Sequence, residues 1–426
     1  MIGWEAPLAT SPVTGHVAVP GSKSTTARSF VLAALADAPG EVIGALSARD
    51  TSLMRQALER FGVRFDDLDS DRVVVTPPST LSAGGRIECG LAGTVLRFLP
   101  PIAALVDQPT RFVGDAEAAA RPVAPLLGAL AALGATVSTP YHLPFTVRGG
   151  PSVRGGTVEL DASGSSQFVS ALLLAGPRFP EGLTVVHSGP RMPSLPHITM
   201  TARMLQARGV GLTAPRPGTW VVSPGPIASV TDHVEPDLTN AATMLAAAVA
   251  TGGRLTTAWP EDSLQPADGL AGILAAFGAN LAYSVGPTGR LLTVTGPDRI
   301  SGVDLDLAAT SEFTPVAAAL AVMADSPSAI RGVGHIRGHE TDRIAALAAE
   351  LSGLGAVVKP LPDGLEIRPR TRHGGVFRTY ADHRLAHAGA LIGLVTPGVV
   401  LDDVTCTTKT LPDFPGLWLS LVQGAR

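Results

Sequence analysis

Lysine is nearly missing from this chain of 426 residues: it occurs at Lys23, Lys359 and Lys409, while arginine supplies the other 29 of the 32 basic residues. Where positive charge is otherwise arginine, Lys23 and Lys409, each in a Ser/Thr-rich turn, point to a use for a compact ammonium that a planar guanidinium cannot replace. Lys359 sits at a strand end and needs no such reading. Cysteine is scarce too, and Cys89 and Cys406 form no disulfide framework, which suits a reducing compartment. A net charge of −4, a pI near 6.2 and scattered arginines leave no basic footprint for nucleic acid. Apolar runs such as Leu385–Leu401, interrupted by His387 and Pro397, fall short of a clean membrane span of about 18 to 20 residues. The N-terminal stretch has no basic region followed by an apolar one, so a cytoplasmic protein away from the membrane is expected. Few aromatics and few charges, with 45% hydrophobic residues, describe a core of small side chains rather than disorder.

What is present begins with Pro20–Arg28, PGSKSTTAR, a polar turn between the apolar run Val17–Val19 and an apolar helical pattern over Ser29–Leu35. A helix N-terminus offers unpaired N–H groups and about half a positive charge, so it attracts phosphate or carboxylate. Lys23 adds a full charge, Gly21 lets the backbone come close, and Ser22 and Ser24 supply hydroxyls. On its own the turn reads as an ordinary N-cap with a surface lysine. It also lacks the GxxxxGK[ST] spacing of an ATP-binding loop.

The design recurs. GSKSTTAR from Gly21, GLAGTVLR from Gly90, ASGSSQFV from Ala162, PDLTNAAT from Pro236, AATSEFTP from Ala308 and YADHRLAH from Tyr380 start 69, 72, 74, 72 and 72 residues apart. A second marker travels with it: a glycine that ends a helix and feeds a strand, near Gly62, Gly134, Gly209, Gly278 and Gly355. The period exceeds that of solenoids, so six units imply an α/β (α+β) chain of two similar domains with three units each. The count places one domain at 21–231 and the other at 1–20 with 232–426. The chain then crosses twice between domains, with Lys23 beside one crossing and Asp237 beside the other, and both are expected at a cleft.

PGSKS with Arg28, LAGT with Arg97, GD followed by ARP at Arg121, SSQF, HETDR, YADHR and TTKTLPDF stand in this order along nearly the whole chain. Together they resemble the 5-enolpyruvylshikimate-3-phosphate synthases. The resemblance implies two domains of three βαβαββ units, with helix N-termini facing an interdomain cleft that closes over shikimate 3-phosphate and phosphoenolpyruvate. It implies transfer of the enolpyruvyl group to the 5-hydroxyl of shikimate 3-phosphate with release of phosphate, on the route to chorismate and the aromatic amino acids. No metal and no organic cofactor are expected, and the partners are two small molecules bound by a monomer. Holding two multiply charged anions together demands converging cations and helix N-termini, plus groups that give and take a proton.

The same resemblance assigns Ser24 and Arg28 to the shikimate carboxylate, and Ser165, Ser166 and Ser194 to its phosphate. Gln167 spans both ligands. Lys23, Gly93, Arg121, Arg343, Arg384 and Lys409 fall on the phosphoenolpyruvate side, where guanidinium pairs suit a planar carboxylate. Lys23 and His339 also reach the shikimate 3-phosphate side. Glu312 stands where the family has the carboxylate that takes the proton of the 5-hydroxyl, and Glu340, with Lys409 and Lys23, is assigned to the remaining proton traffic. Arg97 is expected to support structure rather than touch ligand.

Alternatives stand beside these assignments. His335 and His339, four residues apart, invite a metal reading, which the position of Glu340 after the second histidine and the absence of a third ligand in the pattern argue against. The sister transferases that act on UDP-N-acetylglucosamine carry a cysteine before their Ala-Arg-Pro arginine, and GDAEAAARP has none. A non-catalytic anion-binding relative would explain Ala27 and Leu91, which replace two usual asparagines, but every charged group the reaction needs is present. His335, His339 and His197 also replace the family's usual Asn, Lys and Tyr, which alters the fine hydrogen bonding to shikimate 3-phosphate.

Overall fold

The structure is a computed structural model and describes residues 3–82, 84–287 and 289–424. The chain divides into two units: Gly21–Glu235, here the continuous unit, and the residues up to Pro20 joined with those from Pro236 on, the discontinuous unit. Each contains six helices among the described residues. In the continuous unit these are α1 (Lys23–Ala34), α2 (Arg49–Arg60), α3 (Gly93–Ala103), α4 (Ala124–Ala132), α5 (Gln167–Ala175) and α6 (Leu195–Gln206). In the discontinuous unit they are α7 (Leu238–Thr251), α8 (Ala267–Ala276), α9 (Thr314–Ala321), α10 (Arg343–Gly353), α11 (His383–Gly393) and α12 (Phe414–Gln423).

The repeat is visible in the strand pairing. Each unit holds three small sheets, and the four-stranded ones share one plan, a parallel pair extended by antiparallel strands. In the continuous unit, Gly156–Leu160 pairs parallel with Leu183–His187, which then pairs antiparallel with Thr219–Val222, flanked by Leu212–Arg216. A parallel pair needs a crossover helix, and α5 supplies it here. The strands that precede α1 and α7 break the local order. Thr14–Val17 runs parallel to Arg254–Ala258 in the discontinuous unit, and Thr231–His233 runs parallel to Gly40–Ile43 in the continuous one. Residues 232–235, which the count along the sequence put with the discontinuous unit, therefore lie in the continuous unit, because the edge strand ends there before the chain crosses.

Helix position follows from composition. The helices that open with the repeated polar turns, α1, α3 and α5 in one unit and α7, α9 and α11 in the other, are buried almost throughout. Helices apolar on all sides belong inside, and alanine, serine and threonine let them pack closely. Leu245, Leu320 and Leu391 are completely buried where α7, α9 and α11 meet. Amphipathic helices such as α2 and α10 cover the outside. The glycine markers do what a helix end feeding a strand requires: Gly62, Gly134, Gly209, Gly278 and Gly355 all adopt positive φ, between 76° and 107°. No helix among the described residues is long and apolar enough to cross a membrane.

Candidate active site

Nearly all the residues singled out in the sequence lie at the starts of helices. Lys23, Gly93, Gln167 and Arg343 are the first residues of α1, α3, α5 and α10, and Arg384 is the second of α11. Ser165 and Ser166 immediately precede α5, and Ser194 caps α6 in the left-handed conformation at φ 50°. Glu312 sits in the short turn Ser311–Phe313 before α9, and Lys409 closes the turn Thr405–Lys409 before α12. The anion-attracting end of each buried helix thus carries the polar side chains.

In the continuous unit, Arg28 is the focus. It is 1% exposed, yet its partners are all neutral: Nε donates to Thr201 Oγ1 at 2.7 Å, Nη1 to the Ser24 carbonyl at 3.0 Å, and Nη2 to the His197 carbonyl at 3.2 Å. The guanidinium lies over Phe98, 5.0 Å from the ring centre. Burial alone pushes its pKa down to about 9, with no carboxylate to hold it up. A buried cation with only hydroxyls and carbonyls for company favours an incoming anion.

Arg97 is a positioning group. Its Nη1 donates to Gln167 Oε1 at 2.8 Å while Nε and Nη2 hold the Pro122 carbonyl, so the Gln167 amide has a defined orientation. Arg121, 8% exposed, donates from Nη1 to the Leu91 carbonyl at 2.7 Å, and its Nε has no hydrogen-bond partner. The guanidinium presses on Gly93: a Cβ there would lie 2.6 Å from Arg121 Nη2. Lys23 donates to Asp50 at 3.2 Å, a carboxylate only 2% exposed.

The discontinuous unit is built differently. Lys409 Nζ donates to Glu340 Oε1 at 2.5 Å, and Arg343 Nη2 donates to Glu340 Oε2 at 2.8 Å. Arg343 also grips Asp382, through Nε at 2.7 Å and Nη2 at 3.1 Å. Burial works against the Arg343 charge, but Asp382 and Glu340 outweigh it and its pKa is raised. Arg343 Nη1 donates to His339 Nδ1 at 2.9 Å, which makes Nδ1 the acceptor and leaves the ring proton of a neutral His339 on Nε2. Arg384 is pushed down by burial and then by Arg343, against the pull of Glu312, Asp237 and Glu340, and its Nη1 donates to the Glu312 carbonyl at 3.2 Å.

Asp382 was not singled out in the sequence. It is fully buried, bonded to Arg343, and caps α11 by accepting from the Arg384 N–H at 2.9 Å. The clue in hand was its place inside YADHR. Just before it, Tyr380 and Ala381 adopt φ 53° and 54°, a conformation that costs non-glycine residues about 1 to 2 kcal/mol each. Such strain persists where the surroundings hold it, here the Tyr380 hydroxyl on Glu350 at 2.7 Å and Thr379 on Asp402. His335 does not face a metal cluster. Its Nε2 meets Ser311 Oγ at 2.7 Å, burial pushes its pKa down to about 4, and no group of three or more metal-ligating side chains occurs among the described residues.

Comparison with known proteins follows the same lines. Residues 8–418 match the family model of EPSP synthase, 3-phosphoshikimate 1-carboxyvinyltransferase. Among solved structures, the chain is similar in fold to an EPSP synthase from Acinetobacter baumannii, with TM-score 0.79, 23% identity, and coverage of 97% of this chain and 96% of that one. It is also similar in fold to the enolpyruvyl transferase NikO from Streptomyces tendae, with TM-score 0.75, 19% identity, and coverage of 97% and 96%. With cations massed at helix starts and a family match over almost its full length, the chain belongs to the EPSP synthase family, the 3-phosphoshikimate 1-carboxyvinyltransferases.

Proposed function

We propose how the residues of this chain divide the work of their family. The chain transfers the enolpyruvyl group of phosphoenolpyruvate to the 5-hydroxyl of shikimate 3-phosphate and releases phosphate, a step toward the aromatic amino acids. In our reading, Arg28 and Ser24 receive the shikimate carboxylate, and Ser165, Ser166 and Ser194 its phosphate. Gln167, oriented by Arg97, lies between the two ligands. His339, with its proton on Nε2, donates to shikimate 3-phosphate. Lys23, the Gly93 N–H, Arg121, Arg343, Arg384 and Lys409 take the phosphoenolpyruvate carboxylate and phosphate.

The chemistry requires two proton transfers in the addition and one in the elimination. As the 5-hydroxyl oxygen attacks C2, its proton passes to Glu312 and a proton is added at C3. When the tetrahedral intermediate collapses, a proton leaves C3 and the C2–phosphate bond breaks. The observation that carries the reading is Glu340, held by Lys409 at 2.5 Å and Arg343 at 2.8 Å. A carboxylate in contact with a lysine can exchange a proton with it, and the pair supplies and recovers the C3 proton while Lys409 and Lys23 offset charge on the departing phosphate. Arg343 and Asp382 fix Glu340 in place.

The test is phosphate release from phosphoenolpyruvate, which should depend strictly on shikimate 3-phosphate. Release without that acceptor, or unaltered turnover in Glu340→Gln, would sink the reading. A monomer acting in the cytoplasm completes it, and sedimentation of the purified chain as a dimer would correct that part.

A further inference from the structure

Helices α7, α9 and α11 begin at the site, and their opposite ends meet again. The 14 residues of α7 span about 21 Å. At the far end, Val249–Gly252 closing α7, Met323 beyond α9 and Val395 beyond α11 line a cavity of about 800 Å³. Three helix C-termini bring partial negative charge to it. Arg372 answers that charge: Nη1 donates to the Val322 carbonyl, which ends α9, at 3.1 Å, and Nε donates to Thr396 Oγ1 at 3.2 Å. Among the described residues it has no carboxylate partner, and burial lowers its pKa. Arg299 stands exposed on the rim, also without an ion-pair partner among the described residues. Opposite charge is present as well, in Asp298 on the rim and in Asp325, whose Oδ1 accepts from the Ser326 hydroxyl. Ala250, Ile300 and Val395 form an apolar wall.

The continuous unit holds the matching cavity, about 690 Å³ at the C-terminal end of α1, and serves as an internal control. There Arg178 does the capping, with Nε on the Leu35 carbonyl at 2.7 Å, but its Nη2 is held by Asp37 at 2.6 Å. The arginine is neutralised by its own unit. In the discontinuous unit, guanidinium and carboxylate both line the wall without neutralising each other.

We propose that the cavity at the C-terminal ends of α7, α9 and α11 binds a small zwitterion, an α-amino acid with an apolar side chain. The carboxylate sits on Arg372 and Arg299, the ammonium turns to Asp325, Asp298 and the helix ends, and the side chain lies on the apolar wall. A simple anion would leave the carboxylates and helix ends opposed to it, and a simple cation would face the two arginines. The proposal does not rest on the roles assigned to the catalytic residues.

Calorimetric titration of the full chain with L-phenylalanine and L-leucine tests it, with N-acetyl-L-phenylalanine and phenethylamine as probes lacking one charge each. The zwitterions should bind, each single-charge analogue should bind at least about tenfold more weakly, and Arg299→Ala and Arg372→Met should weaken L-phenylalanine by a similar factor. Arg178→Met should leave binding unchanged, and all three variants should keep the parent rate of phosphate release. No binding of either amino acid at about 10 mM, equal binding of an analogue, or unaltered affinity in the correctly folded Arg299→Ala variant would each overturn it.

Discussion

The two units repeat one architecture, and two buried cations in each are partnered in opposite ways, although Lys23 on Asp50 and Arg384 on the Glu312 carbonyl run against that division. In the continuous unit, Arg28 and Arg121 are buried among carbonyls and hydroxyls with no carboxylate bonded to either. In the discontinuous unit, Arg343 and Lys409 are tied to Glu340 and Asp382. A buried cation without a counterion is costly, and the cost falls when an anionic ligand arrives. Cations already matched by carboxylates gain less from an anion, but they hold acid and base in contact and so suit proton transfer. On the roles proposed above, one fold unit used twice would serve as an anion receptor in one copy and as an acid–base device in the other.

The strongest way to break this comparison is Glu340→Gln. The amide keeps the shape and can still accept from Arg343, but it cannot carry a proton to C3. Turnover should fall by about 10²- to 10⁴-fold, with the Michaelis constant for shikimate 3-phosphate little changed. A variant that loses affinity for both substrates but keeps turnover would make Glu340 a binding residue only.

The counterpart in the receptor unit is Arg28→Lys. Charge is kept, but one ammonium cannot reach Thr201, the Ser24 carbonyl and the His197 carbonyl together. Losing a charge-assisted bond to the ligand should weaken shikimate 3-phosphate by about 1.5 to 3 kcal/mol, leaving turnover at saturation nearly intact. A large fall in turnover with normal affinity would erase the distinction between the units.

A smaller effect is expected from Gly93→Ala. The added methyl would fall 2.6 Å from Arg121 Nη2, the far end of a flexible side chain, so the chain should fold and the guanidinium should be displaced. The affinity for phosphoenolpyruvate should drop by about 1 to 3 kcal/mol while that for shikimate 3-phosphate holds. Equal Michaelis constants for phosphoenolpyruvate in variant and parent would remove Gly93 and its arginine neighbour from that site.

Much of this contrast was legible in the sequence, for identifiable reasons. Turns and helix ends are local, so the six polar turns and the five glycines located the repeat, and the glycines carry the positive φ that the pattern demanded. The two lysines set apart by composition both proved to be ion-paired, to Asp50 and Glu340. Tertiary bonds were not legible. Asp382 meets Arg343 across 39 residues, and Arg97 meets Gln167 across 70, with no spacing rule to announce either. The crossing of the chain was misplaced by four residues because Thr231–His233 finds its partner in Gly40–Ile43, far back along the chain.

The last prediction extends the comparison to acid. His387, on α11, is 2% exposed, packs on Phe414 with ring centres 4.7 Å apart, and has no hydrogen-bond partner for Nε2. Burial, and secondarily Arg384, push its pKa from 6.5 down to about 3. Above pH 6.5 the ring is neutral in folded and unfolded chains alike and has no effect on the pH dependence. As pH falls below 6.5, the unfolded chain takes a proton that the folded chain refuses, so stability declines until the folded-state pKa is reached. The loss attributable to His387 should be about 1 to 2 kcal/mol at pH 5. His387→Leu keeps a side chain of similar bulk against Phe414 and cannot titrate, so its stability should fall less steeply between pH 7.5 and pH 5 than that of the parent. Denaturant unfolding at the two pH values reads the difference in slope, which a constant change in packing does not affect. His335, pushed down to about 4 in the same unit, adds to the decline and remains in the variant, so the slope should shrink without vanishing. Identical slopes in parent and variant would show that the acid-sensitive charge lies elsewhere.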